Sequence, residues 1–397
     1  MVASLRVPLV GLLASLTLLN AAAAPADRPA DYIVVLRDAA PDSAIVAQEH
    51  KQTHALTDVK FVYGHALKGY AATVPNNRVS ELRADPLVAY VERDGPMIAA
   101  GGPGGTAAAG TKAGGAATTS TGQSIPWGIN YIDADISSVR AGDGIGAVTG
   151  INIYVIDTGI ASHPDLNLVN HVDLIDTQNT DCYGHGTHVA GTIAAADNTS
   201  AVVGVAPGAR LSGVKVLDCV GNGTTSGVIA GVDWVQANAV KPAVANLSVV
   251  GGASDALDTA VKALADSGVS VTVAAGNSGQ NACNFSPARA GLYPGVITSA
   301  AIDSTGAEAA FSNYGMCVDV WAPGVNVVST SRTGGTATMS GTSQASPHVS
   351  GTAALYALTN PTATAASIET ALKAAAIATT KTSKDTRQIS SVYAGRY

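Results

Sequence analysis

Short apolar runs, each closed by a polar or small residue, recur along the chain and set its plan. From residue 150 onward these runs are apolar at almost every position: GINIYVID (150–157), RLSGVKVL (210–217), the stretch 244–249 and VSVTVA (269–274). Runs of this kind suit a parallel sheet covered by helices on both faces. Helical spacing falls between them, at 226–239 and 255–267. Residues 31–97 read differently. A strand is predicted at 32–36, a helix at 42–54 after a Pro-Asp turn, and two strands within 60–74 around Gly64. A short helix at 77–84 and a strand at 88–92 complete the order βαββαβ, that of a small ferredoxin-like α+β unit. Residues 98–121 carry almost no bulky side chain, so they cannot offset their ordering entropy and read as a flexible linker.

The first residues change the picture of where the protein works. Arg6, an apolar run over 7–19 and small residues at 21–24 form the pattern of a secretory signal peptide, with cleavage expected after residue 23. The remaining chain then divides into 24–97, the linker 98–121 and a large α/β unit, 122–397. Of the 397 residues, 22 are Lys or Arg and 29 are Asp or Glu, a net charge of -7 without any basic run, so nucleic acid is not an expected partner. Hydrophobic residues make up 47%, which excludes a disordered chain, and no uncharged apolar stretch of about 20 residues follows the leader. No membrane association is expected once the leader is gone. Four cysteines in an exported chain imply two disulfides, with three connectivities open. The sequential pairing, Cys182–Cys219 and Cys283–Cys317, closes a modest loop each time and is favoured.

Three segments carry the candidate chemistry. Asp157-Thr158-Gly159 follows a buried strand, GHGTHVAGT (184–192) opens a helix, and GTSQASPH (341–348) opens another, with Pro347 expected in its first turn. An acid, an imidazole and a hydroxyl at strand ends and helix starts are the parts of an acyl-transfer triad. Serine needs a neutral imidazole to take its proton, and the carboxylate holds that imidazole in the right tautomer. A zinc site on Cys182, His185 and His188 is the competing reading, and it leaves Asp157 and the GTS segment without a role.

Together the three segments closely resemble the subtilisin family of serine proteases, with proteinase K-like features. The order Asp157, His185, Ser343 matches that family's order. The resemblance covers roughly 123–375, and 31–97 resembles the family's inhibitory propeptide. It implies a subtilisin-like fold, a secreted serine endopeptidase made as a proform, and protein or peptide substrates. The chain's own propeptide then acts as an intramolecular inhibitor, self-cleavage is expected near residues 116–122, and a monomer is expected. A catalytically silent binding protein of the same fold is the alternative. The resemblance assigns the base to His185 and leaves His188 and His348 as structural residues; His163 reads as part of a surface turn.

The family's AAGN segment makes Asn277 an oxyanion donor, beside the backbone N–H of Ser343. Substrate is expected as an added antiparallel strand between Gly221-Asn222-Gly223 and Ser248-Val249-Val250. Ala274, Ala275, Gly276 and Phe285 would line the pocket for the residue before the cleaved bond. No acid lies among them, so neutral apolar or aromatic side chains are expected there. Val250 stands where relatives have glycine and is expected to narrow that pocket or shift its edge; Thr225 stands where relatives often have an aromatic. The resemblance also implies a structural Ca²⁺ held by Gln123, Asp165, Ala196, Asn198, Ser200 and Val202, with Ala201 replacing a glycine in that turn. A second Ca²⁺ site is implied at Asp319 with the carbonyls of Pro294 and Val296. No organic cofactor is expected.

Overall fold

A computed structural model describes residues 28–101, 117–118, 123–145 and 147–397. The leader and most of the predicted linker lie outside the described residues. The N-terminal unit runs β1 (Ala30–Leu36), α1 (Ser43–Thr53), β2 (Asp58–Tyr63), β3 (Gly69–Val74), α2 (Val79–Ala84) and β4 (Val88–Arg93). Its sheet order is β2-β3-β1-β4 with antiparallel neighbours, the ferredoxin-like arrangement read from the sequence. Asp42 caps α1 by accepting from Ala44 N at 2.8 Å.

The chain does not become a linker at residue 98. A further strand, β5 (Pro96–Ala99), leaves the small unit and crosses to the large one. Composition gave no hint of this, because β5 is held by backbone hydrogen bonds that need no bulky side chain.

In the large unit nine strands form one sheet. Their order is Ile377–Thr382, Gln388–Ser391, Val320–Pro323, Val296–Ile302, Ser270–Ala274, Ala243–Leu247, Asn152–Asp157, Arg210–Lys215, Leu168–Asp173. All neighbouring pairs are parallel except the first, which is antiparallel. The helices are α3 (Trp127–Tyr131), α4 (His185–Ala194), α5 (Thr225–Asn238), α6 (Asp255–Asp266), α7 (Thr342–Thr359) and α8 (Ala365–Ala375). Strand Asn152–Asp157 shows why its sequence is continuously apolar. Ile153 and Val155 enter the core beneath α4 and α7, while Tyr154 and Ile156 enter the core beneath α5 and α6.

That second core does not stop at the large unit. Ile33, Val35, Tyr63, Ala66, Leu67, Ala71 and Met97 of the N-terminal segment belong to the same buried cluster as Val228, Val232 and Leu257. The sheet of the small unit therefore covers α5 and α6. Asp233 of α5 accepts from three of its backbone N–H groups, Gly64 at 3.2 Å, His65 at 2.8 Å and Ala66 at 2.7 Å. Asp94 accepts from Ser226 N and Oγ at the positive end of α5, and Glu92 from Ala256 N at that of α6.

Candidate active site

Asp157 ends its strand, and its Oδ1 meets His185 Nδ1 at 2.7 Å, both side chains fully buried. His185 is the first residue of α4, whose start is built by Asp181, a residue the sequence reading passed over. Asp181 Oδ1 accepts from Gly184 N and Tyr183 N, and Oδ2 from Thr187 N and Oγ1. Asp181 lies three residues before the N-cap, Gly184, outside the position where a capping acid is read from sequence. Gly186 must lack a side chain, since a Cβ would lie 2.1 Å from the carbonyl oxygen of Gly159.

Ser343 is the second residue of α7. Its Oγ donates to the carbonyl of Ser248 at 3.1 Å, and His185 Nε2 is buried with no hydrogen-bond partner. The helix begins at Thr342, so Pro347 lies in its second turn and not in its first. A proline there denies the Ser343 carbonyl its i+4 donor. Ser248 Oγ fills the gap, donating to that carbonyl at 3.1 Å. Asn277 is oriented by Thr342, whose N–H and Oγ1–H both donate to Oδ1 at 2.9 Å, leaving Nδ2 to point outward.

What Asn277 Nδ2 points at is the chain itself. It donates to the carbonyl oxygen of Ala100 at 2.5 Å, and Ser343 N donates to the same oxygen at 3.2 Å. Upstream, β5 lies antiparallel between Asn222–Thr224 and Val249–Gly252. Ala99 N donates to Gly221 O at 3.0 Å and Ala100 N to Ser248 O at 2.9 Å. The bond presented to Ser343 is thus Ala100–Gly101, whereas the expected cleavage region, 116–122, lies almost wholly outside the described residues. Met97 and Ala100 are buried along β5, and Ile98 between them is exposed. A Cβ on Gly251 would sit 2.2 Å from Met97 Sδ, so glycine makes room for that side chain. Thr225 binds the Gly95 carbonyl through its N–H at 2.8 Å. Val250 Cγ2 lies 3.3 Å from where a Cβ on Gly276 would be, close to the segment 274–276. Phe285 is paired to Gly252, one strand removed from β5.

His188, His348 and His163 are each buried and hydrogen-bonded to backbone groups. His188 Nε2 lies 3.1 Å from Val327 O and 3.2 Å from Ala337 O; burial, reinforced by His185 nearby, lowers its pKa to about 3. Burial lowers that of His348 to about 4. His163 does open the turn through Pro164, its carbonyl accepting from Leu166 N at 3.0 Å, but its side chain is not at the surface. It is buried, with Nε2 3.0 Å from Gly335 O and Nδ1 accepting from Asp165 N. Cys182 is bonded to Cys219, and Cys283 to Cys317, which removes the zinc reading of Cys182 with His185 and His188. Lys215 also escaped notice. It is fully buried at the register position paired with Asp157, donating to Leu217 O at 2.7 Å and paired with Asp176 at 3.3 Å.

The two implied calcium sites differ. Gln123 Nε2 sits 2.8 Å from Ala196 O, 3.2 Å from Asn198 Oδ1, 2.9 Å from Ser200 O and 3.0 Å from Val202 O. An amide has two hydrogens for these four acceptors. Asp165 joins them through Asn198 and Ser200, and its Oδ2 is buried without a partner. Six converging oxygens with one carboxylate fit Ca²⁺ once the amide is turned to present Oε1. Ala201 holds φ at 44°, the left-handed region where glycine is at ease. At Asp319 the residues do not fit. Lys373 Nζ lies 2.7 Å from one carboxylate oxygen and Thr298 N donates to the other at 2.9 Å. An ammonium already neutralises that carboxylate, so Asp319, Pro294 and Val296 do not fit a second Ca²⁺.

The description of the subtilase family (Peptidase S8) matches residues 148–393, and that of peptidase inhibitor I9 matches residues 31–99. The chain belongs to the subtilase family of serine proteases. The extracellular serine proteinase of Thermus sp. (strain Rt41A) is 41% identical over 379 residues, covering 88% of this chain and 85% of that protein. The alkaline serine exoprotease A of Vibrio alginolyticus is 41% identical over 326 residues, 78% of this chain and 55% of its own length. A crystal structure of a cold-adapted subtilisin-like serine proteinase aligns with a TM-score of 0.60 at 41% identity, covering 68% of this chain and 97% of that one. As a subtilase with an I9 domain, the chain carries its own intramolecular inhibitor. Among the described residues no helix is long and apolar enough to cross a membrane.

Proposed function

We propose that this subtilase is a secreted endopeptidase whose acyl transfer is carried by Asp157, His185 and Ser343, and that the first bond it cuts is its own Ala100–Gly101. The observation that carries the reading is the Ala100 carbonyl, held between Asn277 Nδ2 and Ser343 N while β5 occupies the cleft as a strand. Ser343 Oγ turns from the Ser248 carbonyl and attacks the carbonyl carbon of Ala100 as His185 Nε2 takes its proton. Asp157 stabilises the imidazolium through Nδ1, and the two donors receive the developing oxyanion. Collapse breaks the bond to Gly101, and His185 gives the proton to the departing amine. Water then releases the acyl group as the Ala100 carboxylate.

The same strand supports a reading of specificity. Ala100 and Met97 are buried while Ile98 is exposed, so a small residue at the cleaved bond and an apolar one three positions earlier are preferred. A later cut near 116–122 would trim the linker from the catalytic domain. Gln123, Asp165, Ala196, Asn198, Ser200 and Val202 would hold one Ca²⁺, which neutralises the buried carboxylate and secures the start of the mature chain.

The test is Ser343→Ala. The wild type should yield a fragment ending at Ala100 by intact mass, and the variant should remain a single uncut chain without peptidase activity. A variant that matures alone, or a wild-type first fragment ending elsewhere, would sink the proposal.

A further inference from the structure

The inhibitory unit carries a cluster that neither the fold nor the proposed peptidase chemistry uses. His50 and His54 stand one turn apart at the end of α1, and Asp85 caps the end of α2. Asp85 Oδ2 lies 3.6 Å from His50 Nε2 and 3.7 Å from His54 Nε2. One ligand atom from each residue lies within 4.8 Å of the others. These separations are too long for hydrogen bonds, which cluster at about 2.7–3.2 Å. They match the edges of a coordination tetrahedron, because bonds of about 2.0–2.1 Å place ligand atoms roughly 3.4 Å apart.

The far side of the His50 imidazole completes the pattern. His50 Nδ1 lies 2.7 Å from the buried Tyr70 hydroxyl; His54 Nδ1 faces the Glu81 carboxylate at 3.7 Å, beyond hydrogen-bond distance. A metal-binding imidazole carries its proton on the other nitrogen and aims it at an acceptor such as that hydroxyl. Glu81 is engaged by Arg78 at 2.8 Å and approaches His54 from the opposite ring edge, so it is not a ligand.

We propose that His50 Nε2, His54 Nε2 and Asp85 Oδ2 bind a divalent transition-metal ion, Zn²⁺ by its preference for two imidazoles and a carboxylate, with water in the fourth position. The ion would clamp α1 to the end of α2. Because it binds only the folded inhibitor, its presence stabilises that unit by mass action.

The experiment uses the full-length Ser343→Ala chain, shown by mass to be uncut, stripped with chelator and returned to excess Ca²⁺. Calorimetric titration with Zn²⁺ alone should show one ion per chain, and Co²⁺ should give the visible absorption of a four-coordinate site. His54→Gln and Asp85→Asn, each added to that chain and checked by circular dichroism, should weaken Zn²⁺ binding at least tenfold and abolish the cobalt spectrum. No uptake by the parent chain overturns the proposal, and so does undiminished uptake in either folded variant.

Discussion

Replacing Asp233 by alanine should loosen the inhibitor without touching the catalytic groups. The carboxylate gathers the N–H groups of Gly64, His65 and Ala66 into one acceptor, with the two shortest contacts at 2.7 and 2.8 Å. Hydrogen bonds to a charged group contribute about 1.5–3 kcal/mol each. The three share one carboxylate, which water rehydrates when the inhibitor leaves, so they do not add in full. A loss of roughly 2–4 kcal/mol is expected, or about 30–1000-fold weaker retention of the cut inhibitor. After refolding and self-cleavage, the lag before a small peptide substrate is hydrolysed reports inhibitor release. Asp233→Ala should shorten that lag at least tenfold, and Asp233→Asn, which keeps one acceptor oxygen, should fall between. An unchanged lag in a folded, fully cleaved Asp233→Ala enzyme would refute the reasoning.

Three further outcomes follow from the same geometry. Val250→Gly removes the side chain beside Gly276, so kcat/KM for a peptide with Phe before the cleaved bond should rise about tenfold relative to Ala; an unchanged ratio would show that Val250 does not limit the pocket. Ala201→Gly relieves a left-handed alanine worth about 1–2 kcal/mol, less about 0.5–1 for the freer unfolded chain, so Tm should rise by roughly 1 °C, and a fall would contradict the strain. His188 and His348 are neutral when folded, with pKa values lowered to about 3 and about 4, so the unfolded chain binds more protons below about pH 6.5. Their contribution to stability is complete above that value and is lost as pH falls toward 4; linked proton uptake of about two per chain near pH 5 should appear in Tm against pH.

Much of this site was legible because the relevant signals are local. Asp157 closes an apolar strand, and His185 and Ser343 open helices, so their neighbours in sequence already announce a strand end or a helix start. The twofold apolar pattern of 152–157 likewise predicts burial on both faces, since Ile153 and Tyr154 must enter different cores. What escaped depends on partners distant in sequence. Ile98 and Ala99 look like linker because their hold is the backbone of residues 221–224 and 248–252. Asp319 resembles a calcium ligand until Lys373, 54 residues later, takes its carboxylate. His163 precedes a proline as turn residues do, yet the chain returns at Gly335 to bury it. Lys215 lies within an apolar strand, and only the fold supplies the Asp176 carboxylate and Leu217 carbonyl that satisfy it.

The central claim, that Ser343 is the nucleophile, is tested most directly by locating the adduct of a serine-directed fluorophosphonate on the matured enzyme. The account predicts one adduct, on the peptide carrying Ser343, with activity lost in proportion to labelling and no adduct in Ser343→Ala. Labelling at another serine, or of the Ser343→Ala chain, would contradict it.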